Sequence, residues 1–434
     1  MRIREMKRNK KILIILTGTV LIPAILIAGA LYFFALNDLE SDYPEVNTEQ
    51  AEPAQTYVPL SNEPPAGESV PISAFDVVRS IGVGWNLGNA LDSLDNRGLG
   101  IRESLPEGIT ANEHYETRWG NPITTREMID AVVEKGFGAI RIPVTYTDHL
   151  DENFQIRHDW LLRVEQVVNY VLDAGVYCII NIHHDTGYGA WPWLRADPDN
   201  IEQLSEQFAT VWTQIAEHFI DYDYKLFFES FNEILDTESR WNNASSAAYS
   251  AVNTLNQVFV DTVRATGGNN DDRFLIVKPY AAGTDRDILD AFVLPQDSAE
   301  DRLIVSVQTY TPHNFTQTEE RSPWLTTHSD WSLIRDGRPV GAIIGRLSST
   351  FIQHGIPVII GEFGAMNKGN TGDRINYAGH FIETARNHDI VCFWWDDGGF
   401  FENAGSVNNF ALFDRFSVQW FFPEIAEALV EAAR

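Results

Sequence analysis

Leu226-Phe227-Phe228-Glu229-Ser230-Phe231-Asn232-Glu233 is a short apolar run that stops on an amide and a carboxylate. The same kind of run recurs along the chain: Ile81 to Leu87, Ala139 to Val144, Val176 to Ile182, Leu226 to Phe231, Phe274 to Val277, Leu303 to Val307, Pro357 to Ile360 and Ile390 to Trp395. These runs are rich in Val, Ile and Phe and apolar almost throughout, as strands buried on both faces of a parallel sheet are. Between them lie segments of helical period. One opens at Pro122-Ile123-Thr124-Thr125, sets Met128, Ile129, Val132 and Val133 on one face, and stops at Gly136. Another runs from His158 to Ala174 with Val164, Val167, Val168 and Val171 inward. Further helices are expected near 201–219, 245–265, 341–354, 372–387 and 423–433.

Strands alternating with helices predict an α/β protein, a (β/α)8 TIM barrel over residues 72–434. A doubly wound open sheet fits the periodicity as well. No G-x-G-x-x-G follows the first strand and no G-x-x-x-x-G-K-[ST] occurs, which removes the usual nucleotide signatures. The extra length falls in loops after the strands, around 92–118, 186–200, 281–300, 312–338 and 398–412, where a barrel builds its active-site face.

The whole chain has 434 residues and a net charge of −29. That balance argues against a phosphate-neutralising nucleic-acid surface. Lysine is scarce after the first residues, with only Lys135, Lys225, Lys278 and Lys368. An acidic, lysine-poor exterior hints at a saline or alkaline habitat. Cys178 and Cys392 lie inside apolar runs on strands that are not neighbours, so buried thiols rather than a disulfide are expected. Arg2, Arg4, Lys7, Arg8, Lys10 and Lys11 precede an uncharged stretch, Ile12 to Leu36. Its length spans a hydrocarbon core, and the flanking basic residues hold that end in the cytoplasm. Residues 1–36 therefore predict a signal anchor, or a signal peptide cleaved after Ala28-Gly29-Ala30, and either exports the rest. Residues 37–71 carry acids and prolines with no basic residue and read as an extended linker.

Polar residues cluster where the predicted strands end: Trp85-Asn86, Arg141, His183-His184-Asp185, Asn232-Glu233, Gln308-Thr309-Tyr310, Glu362 and Trp395-Asp396-Asp397. Glu233 and Glu362 end the fourth and seventh strands, on opposite sides of a barrel mouth. Glycosidic cleavage uses such a pair, and a retaining enzyme holds its two carboxyls about 5–5.5 Å apart. A structural pair of acids, salt-bridged to Arg141 and other bases, is the competing reading. Metal and cofactor chemistry is not expected. Adjacent histidines on a strand point to opposite faces, which makes His183 and His184 poor co-ligands, and there is no H-E-x-x-H. Absence of G-x-S-x-G speaks against a serine hydrolase.

Six segments together resemble glycoside hydrolase family 5, the cellulase-type retaining enzymes: Gly84-Trp85-Asn86-Leu87-Gly88-Asn89, Arg141-Ile142-Pro143-Val144, Asn181-Ile182-His183-His184, Phe231-Asn232-Glu233, Ile360-Gly361-Glu362-Phe363-Gly364 and Trp394-Trp395-Asp396. The resemblance covers nearly all of 72–434. It implies Glu233 as general acid/base and Glu362 as nucleophile. Asn232 would bind the sugar 2-hydroxyl, Arg141 would keep Glu362 ionised and Tyr310 would hydrogen-bond it. His183 and Asn86 would belong to the substrate site. Trp395 would floor the −1 sugar site, or Trp394 if the strand register is off by one. One position departs from the family: its usual His, two residues before Tyr310, is Gln308 here, which hydrogen-bonds but takes no charge. The resemblance implies a β-glucan substrate, with cellulose first and mixed-linkage glucan, xyloglucan or mannan as alternatives. Trp119, Trp191, Trp193, Trp241, Trp324 and Trp331 are candidates for sugar stacking or for core packing. A non-catalytic glycan-binding barrel is the reading from another class, favoured only by Gln308. The protein is expected outside the cell, as a monomer, without cofactor.

Overall fold

The computed structural model describes residues 72–95, 105, 108–189, 191–317, 327–399 and 409–434. The expected leader and linker, residues 1–71, lie outside them, as does Trp324. Among the described residues no helix is long and apolar enough to cross a membrane.

Eight parallel strands close into a barrel in sequence order. They are β1 (Gly84–Leu87), β2 (Ala139–Ile142), β3 (Tyr177–Asn181), β4 (Leu226–Glu229), β5 (Leu275–Val277), β6 (Leu303–Gln308), β7 (Val358–Phe363) and β8 (Val391–Asp396). Pairing of Asn86 with both Arg141 and Trp395 closes the ring and excludes the open sheet. The helices expected from periodicity are present at Arg126–Lys135, His158–Asp173, Ile201–His218, Ser246–Ala265, Arg338–Thr350, Thr371–Arg386 and Pro423–Ala433.

The two residues-per-repeat alternation of a strand sorts the barrel wall into two populations. Outward residues such as Ile140, Ile180, Phe228, Val277, Val307, Ile360 and Trp394 pack into the large apolar cluster shared with the helices. Inward residues form their own layer at the bottom of the barrel: Ala139, Ile179, Phe227, Ile276, Ile304, Ile359 and Phe393. Two positions further along β2 to β6 the inward residues become polar: Arg141, Asn181, Glu229, Lys278 and Ser306, with Asn86 from β1 and the small Gly361 on β7. A barrel interior is filled by such layers. Here the lower layer supplies apolar burial and the upper layer supplies charge.

Four elements differ from expectation. Ile81 does not begin a strand: it ends a helix, Ala74–Ile81, started by a Ser73/Asp76 capping box. That helix buries Ala74, Val77, Val78 and Ile81 against the lower barrel layer and plugs it. Short helices at Ala111–Glu116 and Arg286–Ala291, and a small hairpin of Phe413–Asp414 with Gln419–Trp420, were too brief for periodicity to reveal. Cys178 and Cys392 are both free and buried.

Candidate active site

The site is built on the upper, polar layer. Arg141 ends up fully buried at its centre and uses its whole guanidinium. Its Nε donates to Glu229 Oε2 at 2.5 Å. Nη1 donates to Asn86 Oδ1 at 2.9 Å and to Glu362 Oε1 at 2.8 Å, and Nη2 to Asn232 Oδ1 at 3.1 Å. A planar fork of fixed donors suits this role better than a lysine would. Its carboxylate neighbours hold it protonated against the cost of burial. Asn86 links the cluster to the wall: its amide donates to the Gly361 carbonyl at 2.9 Å. Asn86 and Arg141 thus lie beneath the cleft floor, and neither lines the cleft.

Glu362 sits near the end of β7, where strand alternation alone would turn it outward, because Ile359 and Gly361 face inward. The pairing slips there: Val307 meets Ile360, but Gln308 meets Glu362. The β7–β8 register also shifts between Ile360 and Phe363. Such irregularities re-aim side chains beside active sites. Gly361 allows it, since a Cβ on that residue would lie 2.7 Å from Ser306 Oγ. The redirected carboxylate receives three donors: Arg141, Gln308 Nε2 at 2.8 Å to Oε1, and Tyr310 Oη at 2.9 Å to Oε2.

Glu233 lies across the same cleft in a different environment. Its carboxyl is pushed up to about 8, first by burial and next by the negative charge of Glu362, against the pull of Lys278 and Arg141. Asn232, its neighbour, accepts from both Arg141 and Gln308 (2.8 Å) through Oδ1. Its Nδ2 is thereby left to face the cleft.

The cleft has a volume of about 810 Å³. His183, Asn232, Glu233, Gln308, Tyr310, Glu362 and Trp395 all line it. Trp395 lies parallel to His183 at 5.9 Å. Trp394 is instead buried in the core, with its indole N–H on the Phe410 carbonyl at 3.1 Å. His183 is held neutral: burial, and then the charges of His184, Arg141 and Lys278, push its pKa well down. On the far side the wall continues through Trp241, Asp285, His313 and Arg346. His313 has Asp285 as its acidic neighbour, and no hydrogen bond ties it to Glu362. Trp193 and Trp331 are structural: Trp193 donates to Asp185, and Trp331 packs on Phe315 and Tyr377.

His183 and His184 do not face opposite ways, contrary to the expectation from strand alternation. Both follow the end of β3, where alternation no longer applies, and their rings lie 4.5 Å apart. With Asp92 they bring possible ligand atoms within 4.8 Å of one another. Two imidazoles and a carboxylate suit a zinc-like ion, but His183 Nδ1 is already committed to Asn181 Nδ2 at 3.1 Å, and the two carboxylates need no ion. The third member of the motif, Asp185, anchors loops through Tyr146 N, Thr147 and Trp193.

Two charged residues escaped the sequence reading. Glu229, the last residue of β4, and Lys278, immediately after β5, are fully buried and form an ion pair beside Arg141. A signal existed: each falls at an inward position of a strand otherwise apolar.

A closed barrel that sets two carboxyls in unlike surroundings across one cleft, with an indole and an amide beside them, defines a glycoside hydrolase. Residues 106–400 match the family described as Cellulase (glycosyl hydrolase family 5), and the chain belongs to that family. Among curated relatives, Endoglucanase A of Ruminococcus albus is 37% identical over 375 residues, covering 85% of this chain and 95% of its own. Cellulase/esterase CelE of Acetivibrio thermocellus is 38% identical over 367 residues, 83% of this chain but 41% of that longer protein. Among solved structures, a broad-specificity endoglucanase from Ruminococcus champanellensis with bound cellotriose superposes with a TM-score of 0.75 at 36% identity, covering 83% of this chain and 99% of the other. A family 5 enzyme from Prevotella bryantii, as a mutant in complex with a xyloglucan tetradecasaccharide, gives 0.72 at 35%, with 83% and 99% covered.

Proposed function

We propose that this protein is a retaining endo-β-1,4-glucanase in which Glu362 is the nucleophile and Glu233 the acid/base. The carrying observation is the contrast between the two carboxyls: Glu233 keeps its proton to about pH 8, while Glu362 accepts from Arg141, Gln308 and Tyr310. A carboxyl that retains its proton suits the acid role, and one held in place by three donors is oriented to attack. Glu233 gives its proton to the glycosidic oxygen as Glu362 attacks the anomeric carbon, the leaving chain departs, and a glycosyl-enzyme ester forms. Glu233, now ionised, takes a proton from water, whose oxygen displaces Glu362 and restores both groups. The cleft-facing Nδ2 of Asn232 donates to the sugar 2-hydroxyl. Trp395 floors the −1 sugar site, and neutral His183 hydrogen-bonds the same sugar.

Relatives named endoglucanases, neighbours holding cellotriose and xyloglucan, and a family 5 lichenase among the neighbours support a β-1,4-glucan backbone as substrate, with tolerance for mixed linkage and side chains. The test is reducing-sugar release by residues 72–434 on carboxymethylcellulose, mixed-linkage β-glucan, xyloglucan and mannan. Release on a glucan, lost in Glu233→Ala and in Glu362→Ala, is expected. No release on any glucan across pH and salt would reject the reading.

The uncharged run from Ile12 to Leu36 behind a basic start supports export, with the enzyme working outside the cell as a monomer, anchored through that run or released from it. Fractionation of cells with N-terminal sequencing separates the two forms, and recovery of the full chain from the cytoplasm would count against export.

A further inference from the structure

The polar layer holds one cation that the reaction described above does not use. Lys278 is one of only four lysines beyond residue 11, and it is fully buried inside the barrel. Its Nζ meets Glu229 Oε1. Glu229 accepts Arg141 Nε through its other oxygen, and Arg141 donates to Glu362. The order Lys278–Glu229–Arg141–Glu362 is thus an unbroken chain of alternating charge from β5 through β4 and β2 to β7. Two cations balance two anions. Without Lys278, one guanidinium would serve two buried carboxylates, and unbalanced charge in a barrel interior is costly.

Gln308 stands at the end of this chain. It fills the place where the family pattern calls for an imidazole, and gives Glu362 Oε1 and Asn232 Oδ1 a donor that never carries charge. We propose that Lys278 is a positioning residue for the nucleophile, acting through Glu229 and Arg141, and that it supplies from below the positive charge that Gln308 cannot supply from the side. This rests on the two-carboxylate reading and assigns it a fixed internal counter-charge.

The groups facing Lys278 are Glu229, Arg141 and Glu362, and it also acts on Glu233 and His183. It pulls the Glu233 carboxyl down against burial. Removing it therefore lets Glu233 hold its proton to higher pH. The basic limb of the pH profile of kcat/KM should move upward in Lys278→Met, by roughly half a unit or more, with kcat falling at least about tenfold as the Lys278–Glu229–Arg141–Glu362 chain loses its balance. Loss of packing alone would lower activity without moving that limb.

The decisive comparison is a double-mutant set on the 72–434 enzyme: wild type, Lys278→Met, Gln308→His and the pair together. In wild type an imidazole at 308 would meet the Glu362 carboxylate, whose charge Arg141 and, through Glu229, Lys278 already balance, so Gln308→His should move the profile less there than in the variant lacking Lys278. In the Lys278→Met background the imidazole can protonate and restore charge, so it should recover several-fold activity on the acidic side of pH 6. If Lys278→Met does not fold, Lys278→Met with Glu229→Gln removes the ion pair as a unit, and the basic limb should still rise, by less. A basic limb that stays at its wild-type position in a folded variant lacking Lys278, or a Gln308→His effect equal in both backgrounds, would overturn the proposal. A wild-type enzyme inactive on every glucan would instead reject the two-carboxylate reading itself.

Discussion

Gln308 donates its Nε2–H to Oε1 of Glu362 at 2.8 Å, on the oxygen that also accepts from Arg141. A neutral amide holds Glu362 where a titrating ring would stand by family pattern, and the same amide orients Asn232. Gln308→Leu removes both contacts while keeping approximate volume. A lost hydrogen bond to a charged group is worth about 1.5–3 kcal/mol, so kcat/KM should fall roughly ten- to a hundredfold with little change in Tm. Steady-state kinetics on the preferred glucan checks this.

Glu233 gives a signed pH prediction. It must be protonated to act, so kcat/KM should decline as pH rises through about 8. Stability follows the same group. With the native pKa above the unfolded value, the folded state holds more protons between the two, so stability falls as pH rises across that window. Glu233→Gln removes this loss. Its Tm should exceed that of wild type more at pH 8 than at pH 4.5, by a contribution on the order of 1 kcal/mol after solvent screening. Calorimetry at the two pH values measures it, and equal differences would contradict the assigned shift.

Gly361→Ala tests the slipped register. The new Cβ would lie 2.7 Å from Ser306 Oγ, so the strand must shift where it aims Glu362. Overpacking typically costs about 1–3 kcal/mol, and kcat should fall much further than stability, because a small misplacement of the nucleophile is expensive. Ser306→Ala in the same chain removes the clashing oxygen and should restore part of the activity.

The adjacent tryptophans separate function from packing. Trp395→Ala should weaken substrate binding and turnover with a modest change in Tm, because Trp395 lines the cleft. Trp394→Ala should destabilise by about 3–5 kcal/mol, because that indole is fully buried among Phe363, Tyr377 and the Phe410 carbonyl. Parallel unfolding and kinetic assays would show the reverse if the register were off by one.

The barrel was legible because strands buried on both faces are apolar throughout, and the long helices carry their buried stripe in plain period. The carboxylates stood out because each closes such a run. What stayed hidden depends on pairing across strands. Nothing local in Ile360-Gly361-Glu362 announces that the register slips and turns Glu362 inward. The helix ending at Ile81 reads as part of a strand because its buried face runs straight into β1. Glu229 and Lys278 acquire meaning only when β2, β4 and β5 stand side by side, although a charge at an inward position is a signal that can be sought. The orientation of His183 and His184 was hidden because both lie just past the end of β3, where strand alternation no longer sets side-chain direction.

The central claim is double displacement at Glu362 with Glu233 as acid/base. Proton NMR of the first reducing ends released from a soluble β-1,4-glucan tests it most directly. The account predicts that the β-anomer appears first and mutarotates to α afterwards, and that Glu362→Ala releases neither. Initial appearance of the α-anomer would mean a single displacement and would contradict the assignment of Glu362 as nucleophile.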